Sequence, residues 1–407
     1  MKKIKKHKNR QSRRRKGLLI GAVVLGVAIG ILFLKPPLSI ENQEPGRLPP
    51  LEKTTKEADQ TQPTEAKLFV GGDIVFHPIT YSPEYEKVVE PYDFTYMFRR
   101  LSNYTEKADF STITFETVCD PDKDYNGFPL FNTPPQSITD IHEAGFDAFS
   151  TATNHCLDAG FKGMKKTLEK MDDVGVKHFG TKRSADQSIL ITDVKGIKIA
   201  FLNYADAYNG LDEALTSEQR KLISPLEIDK VCKDIKKARD LGADIVAVYP
   251  HWGIEYQTLP NETQVTWAHK MAKSGADLIL GSHPHVMQPP EWVENNGHKT
   301  YIVYSLGNAM SNQREKFLGT IDTEIGAFAD ITLEKNKDGA RVKQVKLLPS
   351  TVYVHREAGK LRYEAAIIDD LLNGKYKEEL SDSDRKHIAR LEKRADEILS
   401  GKIVHDE

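Results

Sequence analysis

The sequence predicts an α/β domain on a mixed β-sheet, carried behind an N-terminal transmembrane helix. Three observations support this reading. Between residues 67 and 304, apolar runs of strand length alternate with stretches of helical period, as in buried strands linked by helices. Later, the strand-like segments 327–333 and 341–347 have no helix between them and flank Asn336-Lys337-Asp338-Gly339; its Asp-Gly pair signals a hairpin and antiparallel strands. At the N-terminus, a basic block runs into eighteen uncharged, mostly apolar residues.

Residues 1–16 hold ten Lys/Arg and no acid. Residues 17–34, GLLIGAVVLGVAIGILFL, are just long enough to cross a bilayer as a helix. The basic block stays cytoplasmic by the positive-inside rule, so a single pass through the cell membrane leaves the main domain extracellular. A cleaved signal peptide is the competing reading. The run into Lys35-Pro36-Pro37, with no A-x-A-like site, favours an uncleaved anchor. Residues 35–66 hold six prolines and few apolar side chains, a composition that cannot bury a core and suits an extended linker.

The domain proper is expected over 67–350. Its strands are read at 68–70, 111–115, 146–150, 197–202, 245–249, 278–280 and 301–304, and its helices at 161–173, 226–241 and 262–274. Residues 351–407 form a C-terminal extension. There Ser381 or Ser383 caps a helix whose Ile388, Leu391, Ala395 and Ile398 share one face, which docks on the domain or pairs with a partner.

The net charge of −2 hides an asymmetry. Without the ten cations of the tail, 57 − 10 = 47 basic residues face 59 acidic ones, a balance of −12. That argues against nucleic acid as a partner, and any anion the domain handles needs a local source of positive charge such as a metal ion. Cys119, Cys156 and Cys232 lack C-x-x-C spacing, so they make neither a disulfide framework nor a thiolate zinc site.

The chemistry gathers at strand ends. Leu278-Ile279-Leu280 stops at Gly281, and Ser282-His283-Pro284-His285 follows. An H-x-H pair at the mouth of a buried strand can aim two imidazoles into one crevice. Four other apolar runs end in a similar way: at Gly71-Gly72-Asp73, at Glu116, at Thr153-Asn154-His155 with Asp158 beyond, and at His251-Trp252-Gly253 with Glu255. Ligands of open α/β sheets bind beyond the carboxyl ends of strands. Asp73, Glu116, Asn154, His251, His283 and His285 offer only oxygen and nitrogen donors, a set suited to one or two divalent ions. Singly, each has a plainer reading: Asp73 closes a glycine turn, Glu116 is a solvated strand end, Asn154 caps a helix, and His251 packs on Trp252. Their common topological position favours a site.

These motifs carry a resemblance. With Ser274-Gly275-Ala276-Asp277 through His285, His251-Trp252-Gly253 with Glu255-Tyr256, and Tyr304-Ser305-Leu306-Gly307-Asn308, the chain resembles, over roughly residues 66–350, the CapA (PgsA) family of poly-γ-glutamate capsule synthesis proteins. The family's domain is related to calcineurin-like metallophosphoesterases. The resemblance implies an αββα sandwich with mixed sheets, an anchored external domain, and work on an anionic polymer such as poly-γ-glutamate beside other membrane subunits of a capsule synthesis complex. It also implies one or two divalent ions, Mn, Zn or Fe. Asp73 and His285 would hold one, Asn154, His251 and His283 the other, with Glu116 bridging. His155 would stand near a leaving oxygen and Asp158 would orient its ring. A surface phosphoesterase or hydrolase of envelope substrates, and a non-catalytic scaffold, are the alternative functions. The chain departs from the pattern in four places. Val75 replaces the His of D-x-H and leaves the first ion one donor short, and Pro78, after His77, stands where the family has Arg. Ser282 occupies a common His position, and Ala309 a common Phe position.

Overall fold

The computed structural model describes residues 63–81 and 92–403. The basic tail, the expected anchor at 17–34 and most of the expected linker lie outside them. Among the described residues no helix is long and apolar enough to cross a membrane.

The chain lays down one sheet, leaves it to build a second, then returns. β1 (Thr64–Ile74), β2 (Phe110–Phe115), β3 (Ala148–Ser150) and β4 (Lys177–Phe179) pair in parallel in that order. The second sheet follows from β5 (Leu190–Val194), β6 (Ile197–Ala205), β7 (Ile245–His251), β8 (Leu278–Leu280), β9 (Met287–Asn295) and β10 (His298–Leu306), in the spatial order β5-β6-β7-β8-β10-β9. The chain then re-enters the first sheet with β11 (Asn308–Met310), parallel to β1, and β12 (Gly326–Asn336), β13 (Gly339–Glu357) and β14 (Lys360–Ile367), all antiparallel. Both sheets are mixed, because hairpins add antiparallel strands at one edge of the first and at both edges of the second, while helical crossovers link the parallel strands.

Period-two alternation sorts the apolar side chains into layers. Along β1, Leu68 and Val70 face the second sheet, where they meet Ile245, Tyr249 and Leu278, while Phe69 points to the other face and stacks on Phe328 at 4.8 Å. β7 divides likewise: Ile245 and Ala247 point inward, Val246 and Val248 outward. The outer face of the first sheet is covered by the helices Gln136–Glu143 and Gly160–Val174, and that of the second by Ile228–Asp240 and Glu262–Lys273. The result is an α/β fold of four layers: helices, sheet, sheet, helices.

Several boundaries differ from the sequence expectation. β1 starts at Thr64, inside the expected linker, because Thr64 and Glu65 pair with Lys335 and Glu334. β13 crosses residue 350, and Ala365 and Ile367 of β14 are buried in the layer under the first sheet, so residues 351–367 complete that sheet. The hairpin is closed by the Asn336–Gly339 pair, with Lys337-Asp338 at its tip and Gly339 at a φ of 130° that favours glycine. The helix Asp382–Leu399 starts at Ser381, whose hydroxyl accepts the Asp384 amide at 3.1 Å; Ile388, Leu391, Ala395 and Ile398 then dock in the central core. Buried Arg100 ties the same region to the 3₁₀ turn Thr95–Leu101 by pairing with Glu364 and, at 2.7 Å, with Glu379.

Candidate metal centre

β1, β2, β3, β7 and β8 all point their carboxyl ends at one crevice between the sheets. Gly72 permits the first approach: a Cβ there would lie 2.0 Å from the Gly307 carbonyl oxygen, so only glycine lets β1 pass the β10–β11 turn and present Asp73. Gly281 does the same at the end of β8, with the Tyr304 carbonyl 1.9 Å from its would-be Cβ. Beyond it, His283 and His285 take φ values of 96° and 58°, left-handed backbone that non-glycine residues rarely adopt. The amide of His283 donates to Asp73 Oδ2 at 2.9 Å, which joins the two sheets at the site.

All six donors expected from the sequence converge here and all are buried. Glu116 lies beside both halves: its Oε1 is 3.4 Å from His251 Nε2 and 3.7 Å from His285 Nε2. Asn154 Oδ1 is 2.8 Å from the same His251 nitrogen. Two groupings place one donor atom from each member within 4.8 Å of the others: Glu116, His251 and His283, and Asp73, Glu116 and His285. Donors that share one ion at about 2.0–2.2 Å lie about 3 Å apart or slightly more, so the spacing fits.

The electrostatics also fit a cation. Asp73 Oδ1, both Glu116 carboxylate oxygens and His283 Nδ1 are buried with no hydrogen-bond partner among the described residues. Burial, and then the Glu116 charge, push the Asp73 carboxyl well above the usual carboxylate range. Burial likewise raises Glu116 to about 8, with His155 pulling down and Glu255 and Asp158 pushing up. Burial holds the imidazoles of His251, His283 and His285 well below their ordinary value, hence neutral and free to ligate. Without a cation, this is an expensive set of unsatisfied groups.

His155 sits at the rim of the crevice. Its Nδ1 is 2.7 Å from Asp158 Oδ2, which also accepts the Phe131 amide at 2.7 Å. Burial opposes a charge on the ring, but the Asp158 hydrogen bond and the Glu116 and Asp158 charges together raise its pKa above the ordinary value. His77, two residues after the donor-free Val75, stands outside both groupings. Its Nδ1 accepts the Asn312 amide at 3.3 Å, and burial lowers its pKa to about 4.

Ser282 and Asn308 belong to motifs of the sequence that assign them no task, and the structure gives each one. Ser282 Oγ lies 2.9 Å from His251 Nδ1, and Asn308 Oδ1 lies 3.1 Å from His285 Nδ1, so each orients the ring whose other nitrogen faces Glu116. Asn308 is held in turn, its amide donating to the carbonyls of His285 and Thr323. Cys119, Cys156 and Cys232 are free thiols.

The chain is 30% identical over 238 residues to the capsule biosynthesis protein CapA of Bacillus anthracis, a match covering 56% of each chain. It is 31% identical over 262 residues to the PGA biosynthesis protein CapA of Bacillus subtilis, covering 62% of this chain and 65% of that one. The matches thus span between half and two thirds of these relatives' length. Among solved structures, it is similar to the calcineurin-like phosphoesterase YfkN of Bacillus subtilis, with a TM-score of 0.44 and 15% identity over 71% of this chain and 91% of that one. The model of the bacterial capsule synthesis protein family PGA_cap matches residues 67–313, the span that holds all six donors and His155. That is more than half of the 407 residues, and the chain belongs to this family.

Proposed function

We propose that this chain is a membrane-anchored member of a poly-γ-glutamate capsule apparatus whose external domain handles the anionic polymer at a divalent metal centre. The observation that carries the metal reading is the buried carboxylate pair: three of the four Asp73 and Glu116 oxygens have no hydrogen-bond partner among the described residues, beside three neutral imidazoles. Asp73, His285 and Glu116 would hold one ion, and Glu116, Asn154, His251 and His283 the other. Bound ions would supply Lewis acidity and the positive charge that an acidic domain otherwise lacks. Family membership and the relatives' names support the capsule role, and the apolar segment 17–34 behind a basic tail supports the anchor.

The protein's own residues do the rest. Asp158 holds the His155 ring in one orientation, and its hydrogen bond and charge, with the charge of Glu116, favour a proton on the ring. The ring could give that proton to a leaving oxygen. This dyad favours a second reading, a surface phosphoesterase of envelope substrates. The test uses the full chain purified in detergent. Metal analysis and turnover of a generic phosphoester and of γ-linked glutamate oligomers are measured with and without chelator, alongside His251→Ala. Chelatable metal that drops in His251→Ala, with loss of surface polymer in cells carrying only that variant, is the expected result. Full surface polymer with no bound metal would leave only the scaffold role.

A further inference from the structure

A second polar pocket, of about 100 Å³, opens between the end of β4, the 180–189 loop, β6 and the helix Ile228–Asp240. It is far smaller than the roughly 300–1,000 Å³ of typical organic-ligand sites, a size for one small group. Lys182, Lys230 and Lys237 line it with a single carboxylate, Asp234. Asp234 is already engaged: it accepts the Tyr204 hydroxyl at 2.9 Å and pairs with Lys230. Among the described residues, Lys182 and Lys237 form no salt bridge, and Asp234, already paired with Lys230, is one carboxylate among three ammonium groups. Burial first, then the Lys230 charge and, less strongly, that of Lys237, hold the half-buried Lys182 ammonium below its ordinary pKa against the opposing charge of Asp234. A bound anion would relieve that crowding. In a domain of net charge −12 outside its tail, this concentration of cations stands out.

We infer that this pocket binds one oxyanion, a carboxylate or phosphate group, through Lys182 and Lys237. Asn203 connects the pocket's lining to the segments that lead to the metal centre, donating to the carbonyls of Ala152 at 3.2 Å and Tyr249 at 2.8 Å. Those residues lie two positions before Asn154 and His251. A polymer carboxylate seated here would anchor the chain beside the metal crevice. That identity rests on the function proposed above, whereas the oxyanion pocket does not.

The experiment titrates the full chain in detergent, at low salt, with inorganic phosphate and separately with γ-linked tetraglutamate. The proteins are wild type, Lys182→Met/Lys237→Met and Lys237→Glu; Lys237 is exposed, so the last should fold normally. Each lost charge-assisted contact should weaken binding at least about tenfold, with bound metal unchanged. Tetraglutamate binding that depends on the lysines supports the pocket and the polymer as its source. Lysine-dependent phosphate binding without tetraglutamate binding supports the pocket and counts against the polymer. If neither ligand binds wild type, or both bind Lys237→Glu and the double variant as they bind wild type, the inference is overturned.

Discussion

Glu116→Gln should stabilise the metal-free protein and destabilise the metal-loaded one, a reversal of sign that few substitutions produce. The Glu116 carboxyl is raised from 4.5 to about 8 by burial, so folding opposes its ionisation. For a carboxyl whose folded value is raised, stability is full below the unfolded value and is lost as pH rises towards the folded one. At pH 7 the interval above 4.5 corresponds to about 3 kcal/mol, at about 1.4 kcal/mol per pH unit. Glutamine removes that dependence but adds an amide without hydrogen-bond partners, so the gain should be at most about 3 kcal/mol. It should grow between about pH 5 and about pH 8. A divalent ion inverts the order. At a hundred times its dissociation constant it adds about 2.7 kcal/mol to wild type and much less to a variant lacking the shared charge. Thermal unfolding of the full chain, with chelator and then with Mn or Zn across that pH range, reads both signs. A metal-free variant less stable than wild type throughout, or an equal metal gain in both proteins, would refute the reasoning.

Calorimetric titration of metal-free protein should resolve one tight and one readily lost ion, because Val75 offers no donor to the Asp73–His285 half. The ion on His251 and His283 should persist below pH 6.5 and leave only in more acid solution, because burial holds those imidazoles well below their ordinary value of 6.5; two equally tight ions would contradict the assignment. Asn308→Ala removes the acceptor at His285 Nδ1 and should weaken one ion about 10–100-fold while sparing the other. An equal loss at both sites would mean that Asn308 supports the fold generally. Glu364→Ala strands buried Arg100 and should cost about 3–5 kcal/mol in urea unfolding; a loss under about 1 kcal/mol would show Glu379 to be a sufficient partner.

Much of this protein follows from its local sequence. Strand periodicity along β1 and β7 needs only alternating apolar side chains, and the helices need only their 3.6-residue stripes, so most of these elements are legible before folding. The donor residues are legible for the same reason, since each follows directly on an apolar strand. Five strands were not. β4 and β11 have three residues each, β5 is a half-exposed edge, and β14 continues the sheet past the expected boundary. β9 carries Pro289-Pro290, which argue against a strand and are tolerated because it lies at the edge of its sheet. What only the tertiary structure decided is which strand ends meet. The chain leaves its first sheet after β4 and returns at β11, so Asp73 of one sheet receives an amide from His283 of the other across 210 residues. No local pattern encodes that contact. Nor does one encode the tasks of Ser282, Asn308 and Asn203, polar residues whose partners become neighbours only when the two sheets close on each other and shut out water.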